Sequence, residues 1–490
     1  RNLHSPPSRA ATAPQPRPQM LTALCCIRKG AANPFPKQAE ITEEELNPTK
    51  DELAYVFGEN EEEDEDEDIE AEGEEVTKKQ ESPEKEGSEN ESEEEKEGDF
   101  EKRYNMDDYD DEPDGKSFPF LGNLKSVMFY KDNEEDPNIT NMEDVDMEEI
   151  EDLCLRPTDS LIVTAVTDDE CSHLDVHVHE EGGNTYVHHD IMLASFPLCL
   201  EWLDCTPGSG AQGNFVALGT FEPEIELWDM DVLDTTAPTA VLGGRLDSGS
   251  KKEKKKKSKT LLPGFKQGSH RGAVMSLSWN ATHRNVIASG SADTRVKLWD
   301  VNTCQCIETL EHHTDKVQSV RWNPQETNVL LTGSFDKTFA LLDVRSPAAV
   351  AKGNVAVDVE CLAWNPHSPQ NFLVATEDGM VKYYDALKIS QGPIFRLGAH
   401  GSGVAALTFS PDLPNVFATG SDEKTVKVWE IGADNKPSNV LSIDHQEKVF
   451  CLSFLPSEPH LLATGGKKGK LKVLDLSENS AYSKIFNKAQ

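Results

Sequence analysis

The stretch that decides the fold reads His270-Arg271-Gly272-Ala273-Val274, then Ser289-Gly290-Ser291-Ala292-Asp293, then Val296-Lys297-Leu298-Trp299-Asp300. Each part recurs along the chain. Trp228-Asp229, Trp299-Asp300 and Trp429-Glu430 close runs of the same kind, and Leu342-Asp343, Tyr384-Asp385 and Leu474-Asp475 close them with another apolar residue in the Trp place. From Trp299 onward the spacings are 43, 42, 45 and 45 residues, the period of one four-stranded propeller blade. Upstream, Leu174–Glu180 fits the same slot, 49 residues before Trp228, which makes seven blade endings. Trp228 and Trp299 are 71 residues apart because residues 246–268 are inserted between them.

Two further landmarks keep this register. His270, His313, His400 and His445 each stand four residues before Val274, Val317, Val404 and Val449, and the remaining core repeat has Val355 in the His place. An acid stands six residues before each ending at Asp293, Asp336, Asp378 and Glu423, with Glu222 in the second blade and Lys468 in the last. From about Leu161, runs of four to six strand-forming residues alternate with Gly, Asn, Asp and Pro turns. The expectation is an all-β, seven-bladed propeller over residues 153–490. Its first blade lacks an innermost strand nearby, and Leu21–Ile27 has the alternation and length to fill that place. The last outer strand is expected at Tyr482–Phe486.

Composition explains the rest of the chain. Of 490 residues, Asp+Glu total 88 and Lys+Arg 48. Residues 43–152 hold 46 acidic and 10 basic side chains, a net of −36, so the remaining chain is close to neutral. An acidic stretch this poor in apolar residues cannot bury enough surface to offset its chain entropy. Residues 31–152 therefore read as a long disordered acidic N-terminal arm. Phe100, Tyr104, Tyr109, Phe118, Phe120, Leu121, Leu124, Phe129 and Tyr130 are short docking anchors within it. Residues 1–19 read as an extension outside the fold, with Met20 the expected start, and 20–30 as the strand completing the first blade. No run of about 18 apolar residues is present to form a spanning helix, and no membrane partner is expected. Ten Cys without a CxxC pair suggest neither a disulfide framework nor a zinc finger, consistent with a reducing compartment.

The combined His, Asp and Trp-Asp signals resemble the WD-repeat β-propeller family over about residues 160–476. That resemblance implies a hydrogen-bonded tetrad of His, Ser or Thr, Asp and Trp in each complete blade. Here one blade carries the whole set: His270, Ser289, Asp293 and Trp299. A buried carboxylate needs such partners, so these residues, with Trp228, Asp229, Asp300, Asp336, Asp343, Asp378, Asp385, Trp429 and Asp475, read as blade-closing rather than catalytic. More particular segments are Tyr186–Ile191, Phe196–Asp204, Ala217–Asp229, Pro157–Val163, the Lys-rich insertion and Tyr109-Asp110-Asp111. Together they resemble the eukaryotic periodic tryptophan protein one family from about Met20 to the end. The resemblance implies a nuclear and nucleolar protein acting in large-subunit precursor assembly and pre-rRNA processing, with pre-ribosomal proteins and pre-rRNA as partners. In animals it also implies a link to chromatin and transcription of ribosomal DNA.

Other residues carry candidate roles. Lys251, Lys252, Lys254, Lys255, Lys256, Lys257 and Lys259 form a basic cluster. It reads as a nuclear import signal, a contact to RNA phosphates, or a solvating loop. No aromatic residue interleaves with it, so base stacking is not expected. Ser88 and Ser92 precede Glu91 and Glu95 by three residues, a spacing acidophilic kinases favour, and Ser82-Pro83 fits a proline-directed site. These three are candidate phosphosites. His173, Asp175, His177, His179, His188 and His189 invite a metal reading, but no fixed second pair completes a tetrahedral site, and no metal or other cofactor is expected. His188-His189-Asp190 with Ser195 contains triad residue types that nothing places as nucleophile, base and orienter. With no Gly-rich phosphate loop, the expectation is a non-enzymatic scaffold, a monomer within a larger assembly. A histone-binding chromatin regulator is the alternative.

Overall fold

A computed structural model describes residues 19–39, 153–168, 171–246, 264–346, 350–456 and 458–489. Residues 40–152 of the expected acidic arm, the Lys cluster 251–259 and Ser82, Ser88 and Ser92 lie outside the described residues, whereas residues 31–39, read as part of that arm, pack on the second blade, the Asn33 N–H donating to Asp231 Oδ1 at 2.9 Å. The described chain forms a seven-bladed β-propeller with one α-helix near its end.

The first blade is assembled from distant segments. Strand β1 (Met20–Ile27) pairs antiparallel with β3 (Ser160–Thr167), Leu24 opposite Thr164, and β4 (Ser172–His179) and β5 (Thr185–Leu193) follow outward. Leu21, Ala23, Cys25 and Ile27 alternate inward, as a strand buried on one face requires. β3 is buried at all eight positions, because it lies inside the blade with sheet on both sides and neighbouring blades above and below. Leu21 also packs against Gly465 of the seventh blade, where any Cβ would strike it. A short parallel pair links β2 (Lys37–Gln38) to β9 (Val232–Leu233).

Five blades take four strands each from consecutive chain. Their innermost strands are β6 (Pro197–Cys205), β11 (Val274–Trp279), β15 (Val317–Trp322), β19 (Val359–Trp364) and β23 (Val404–Phe409). Val274, Val317, Val359, Val404 and Val449 are all fully buried where adjacent blades meet. Gly219, Gly290, Gly333 and Gly420 lie against these valines, leaving no room for a side chain.

Among the described residues the seventh blade has three strands: β27 (Val449–Leu455), β28 (Glu458–Gly466) and β29 (Lys472–Asp475). The expected outer strand at Tyr482–Phe486 is instead part of helix α1 (Ser480–Ala489). Asn479 starts the helix, its Oδ1 accepting the Ala481 N–H at 2.9 Å. Tyr482 is fully buried and donates its hydroxyl to the Pro459 carbonyl. Ile485 and Phe486 pack beside it, the spacing of one helical face.

Candidate functional site

The locks between strands are the best-formed side-chain constellations among the described residues. In the third blade His270 is fully buried, its Nδ1 3.0 Å from Asp293 Oδ2 and its Nε2 2.7 Å from Ser289 Oγ. Trp299 Nε1 donates to the same Ser289 Oγ at 2.8 Å. A carboxylate only accepts, so Nδ1 carries the proton, Nε2 accepts from the Ser289 hydroxyl, and that oxygen accepts from the indole. Burial lowers the His270 pKa against the opposing pull of Asp293 and keeps the ring neutral. Burial would raise Asp293, but hydrogen bonds from His270 and from the Arg271 and Arg295 N–H groups outweigh it and hold the carboxyl at about 2.

The reading of a single complete set needs correction. His400 Nε2 lies 2.7 Å from Thr419 Oγ1, its Nδ1 lies 2.7 Å from Glu423 Oε1, and Trp429 Nε1 donates to Thr419 Oγ1 at 3.0 Å. The sixth blade thus carries the same four-membered lock with Thr for Ser and Glu for Asp. Glu423 is held at about 2 by hydrogen bonds from Gly401, Thr425, His400 and Lys427, which outweigh its burial. The signal was available: Thr419 stands ten residues before Trp429, as Ser289 does before Trp299. The fourth blade has three members, His313 bonding Asp336 at 2.9 Å and Thr332 at 2.8 Å, with Leu342 in the Trp place. In the seventh, His445 reaches Thr464 at 3.2 Å, and its Nδ1 faces the Glu447 carbonyl because Lys468 replaces the acid.

The other expected acids fall into two turn roles. Asp229, Asp300, Asp343, Asp385 and Asp475 each accept the backbone N–H two residues on, at 2.8–3.1 Å, and so cap the turn after the third strand. Asp293, Asp336 and Asp378 do the same in the preceding turn. There the following residue is left-handed at Thr294, Lys337, Gly379 and Lys424. At Gly379 a side chain would also collide with the His400 carbonyl. Trp228 is buried but belongs to no tetrad; its Nε1 donates to Glu226 at 2.9 Å.

The histidine-rich strands pair internally. His177 bonds Thr164 at 3.0 Å, His179 bonds Thr185 at 2.7 Å, and His188 and His189 face each other through their Nδ1 atoms at 2.8 Å. Burial lowers His177 to about 4, and burial with neighbouring His188 lowers His189 to about 4. Among the described residues no three His, Cys, Asp or Glu side chains are grouped to hold a metal.

The central channel is a feature the repeat pattern did not expose. A cavity of about 470 Å³ is lined by Trp202, Arg321, Trp322, Trp364 and Phe409, which end or nearly end the inner strands. Arg321 donates to the Leu277 and Val320 carbonyls. The half-buried Cys26, Cys199 and Cys361 line the channel walls with thiols pushed up to about 12, chiefly by desolvation. Such thiols stay protonated and unreactive at neutral pH.

A seven-bladed ring in which two blades are locked by His, Ser or Thr, carboxylate and Trp defines a WD-repeat β-propeller. The family model for the WD domain, G-beta repeat, matches residues 262–300, 304–343, 391–430 and 436–475. Among relatives, the chain is 46% identical over 316 residues to an uncharacterised WD repeat-containing protein of Schizosaccharomyces pombe, covering 63% of this chain and 60% of that protein. It is 38% identical over 260 residues to periodic tryptophan protein 1 of Saccharomyces cerevisiae, covering 44% of each. It is 31% identical over 402 residues to the periodic tryptophan protein 1 homologue of Drosophila melanogaster, covering 81% of this chain and 80% of that protein. The chain belongs to the periodic tryptophan protein 1 family. The matches thus span less than two thirds of the two yeast relatives. A shorter stretch of 112 residues, 23% of this chain and 20% of the relative, is 31% identical to the ribosome biogenesis protein WDR12 homologue of Chlamydomonas reinhardtii.

Proposed function

We propose that this chain is a non-enzymatic scaffold of ribosome biogenesis, acting in the nucleolus on large-subunit precursors and pre-rRNA processing, with a link to transcription of ribosomal DNA. The observation that carries the reading is membership of the periodic tryptophan protein 1 family, supported by the shorter likeness to a protein named for ribosome biogenesis. The chemistry of the described residues supports a scaffold: its best-ordered polar side chains are spent on locking blades. The Lys cluster fits nuclear import and sequence-independent contact with RNA phosphates. The ends of its insertion are tied at the second blade, where Leu246 N–H donates to Gly264 O at 2.7 Å and Lys266 N–H to Gly244 O at 3.0 Å. Pre-ribosomal proteins and pre-rRNA are the proposed partners of a single copy. The test is gradient sedimentation of tagged protein from nuclear extract, with and without ribonuclease. Co-migration with large-subunit precursor RNA that ribonuclease abolishes is expected. Retention in the chromatin pellet without precursor RNA would overturn the reading in favour of histone binding.

A further inference from the structure

We propose that β29 of the seventh blade is a docking edge for an extended acidic segment of a partner protein, which joins the blade as a fourth, antiparallel strand. Among the described residues, six sheets around the ring have four strands and this one has three. The third strand shows the consequence. Its Trp-position residue is buried in the other blades, at 3% exposure for Trp228, 1% for Trp299, 2% for Leu342, 4% for Tyr384 and 6% for Trp429. Leu474 occupies that position and remains partly exposed, as do Lys472 and Val473.

The backbone of this edge is arranged to receive a strand. Leu476 N–H bonds the His460 carbonyl at 2.8 Å, and Leu474 and Lys472 continue that register against Leu462 and Thr464. Alternation then turns the Val473 N–H and C=O outward, where no described strand meets them. Helix α1 packs Tyr482, Ile485 and Phe486 into the cluster shared with the sixth blade, which seals one flank and leaves the edge itself without a paired strand. The charge of the site selects the occupant. Lys467, Lys468 and Lys470 are exposed at the upper end of the edge, next to the half-exposed Lys472. None of the four forms an ion pair among the described residues. Asp475 and Glu478 sit at the lower end. In the antiparallel sense used by every other fourth strand, the acidic half of the guest is therefore its carboxyl-terminal half. Backbone pairing would supply affinity, and these lysines selectivity.

Binding is measured by fluorescence anisotropy of a labelled eight-residue peptide of alternating valine and glutamate, against the same peptide with lysine for glutamate. The full chain is expected to bind the glutamate peptide at least about tenfold more tightly. Val473→Pro removes the outward N–H and none of the bonds to β28, a position where an edge strand tolerates proline. It should weaken binding about tenfold or more, with an unchanged melting temperature. The double variant Lys470→Glu, Lys472→Glu, which does not touch the backbone, should abolish the preference for glutamate. Absence of binding, equal binding of both peptides, or wild-type binding by Val473→Pro overturns the proposal. A dimer of the free chain that Val473→Pro dissolves would assign the edge to a second copy and overturn it as well.

Discussion

At the scale of single residues, each complete lock hangs on one hydroxyl. Ser289 Oγ serves both His270 Nε2 and Trp299 Nε1, so Ser289→Ala strands two buried polar groups at once. At about 1–3 kcal/mol for each unsatisfied group, the substitution should cost about 2–6 kcal/mol, read from urea unfolding midpoints. Ser289→Thr should cost far less, because the sixth blade performs the same task with Thr419. Equal losses for Ala and Thr would show that packing, not the hydroxyl, holds the blade. Sequence made the first lock visible because all four members have their commonest identities. The second stayed hidden behind Thr419 and Glu423, whose chemistry is equivalent although the letters differ. Glu has one more methylene than Asp, yet its Oε1 still reaches His400 at 2.7 Å. Arg321 in the channel was not legible because nothing along the chain says that seven inner strands converge on one axis.

At the scale of elements, alternation and length placed β1, and they are the properties a half-buried strand must have. The helix near the end was less legible. Tyr482 and Phe486 also fit the alternate positions of a strand, and only the third member, Ile485, together with the Asn479 cap, selects a helix. Each element supports a test. Ile27 is 2% exposed at the end of β1, and Ile27→Ala should cost about 2–5 kcal/mol. Its effect should appear as a lower unfolding midpoint for the entire ring, since β1 also packs against β6 and β27. A loss confined to local proteolysis near residue 27 would contradict this. Tyr482→Phe removes one bond to the Pro459 carbonyl and retains the ring. It should cost about 1 kcal/mol, well below the ~3–5 kcal/mol expected for Tyr482→Ala by the rule for large buried aromatics, both measured by thermal unfolding.

At the scale of the whole molecule, buried histidines make the propeller sensitive to acid. Burial lowers His177, His179, His189, His270, His312, His313, His400 and His445. The unfolded chain binds those protons near pH 6.5, whereas the fold resists them down to about 4 at His177 and His189 and about 3 at His312. Each such group stabilises the fold above pH 6.5, and its contribution is lost as the pH falls toward the folded value. Asp293 and Glu423, both held at about 2, act in the same direction at still lower pH. Burial raises Asp175, Glu201, Glu226, Asp229 and Glu360, which oppose the trend, but the histidines outnumber them. The melting temperature should therefore fall steadily from pH 7 to pH 4.5. A flat or rising profile over that range would mean that the raised carboxyls dominate.

The pairing of β1 with β3 has a consequence in biosynthetic time. Residues 20–27 leave the ribosome early, yet their neighbours in the ring include Gly465 and β27. At ~5–20 residues per second, a strand with Leu21, Ala23, Cys25 and Ile27 on one face waits roughly 20 to 90 seconds for its last neighbour. Until β3 is made it is an unpaired strand of the kind that recruits other chains, and until β27 is made part of its apolar surface stays uncovered. This strand is made before every other described strand and completes its packing only with the last blade, so the yield of folded protein should depend on translation speed and on whatever shields residues 20–27 meanwhile. Nascent chains stalled before β27 should crosslink to chaperones through that segment, and completed chains should not.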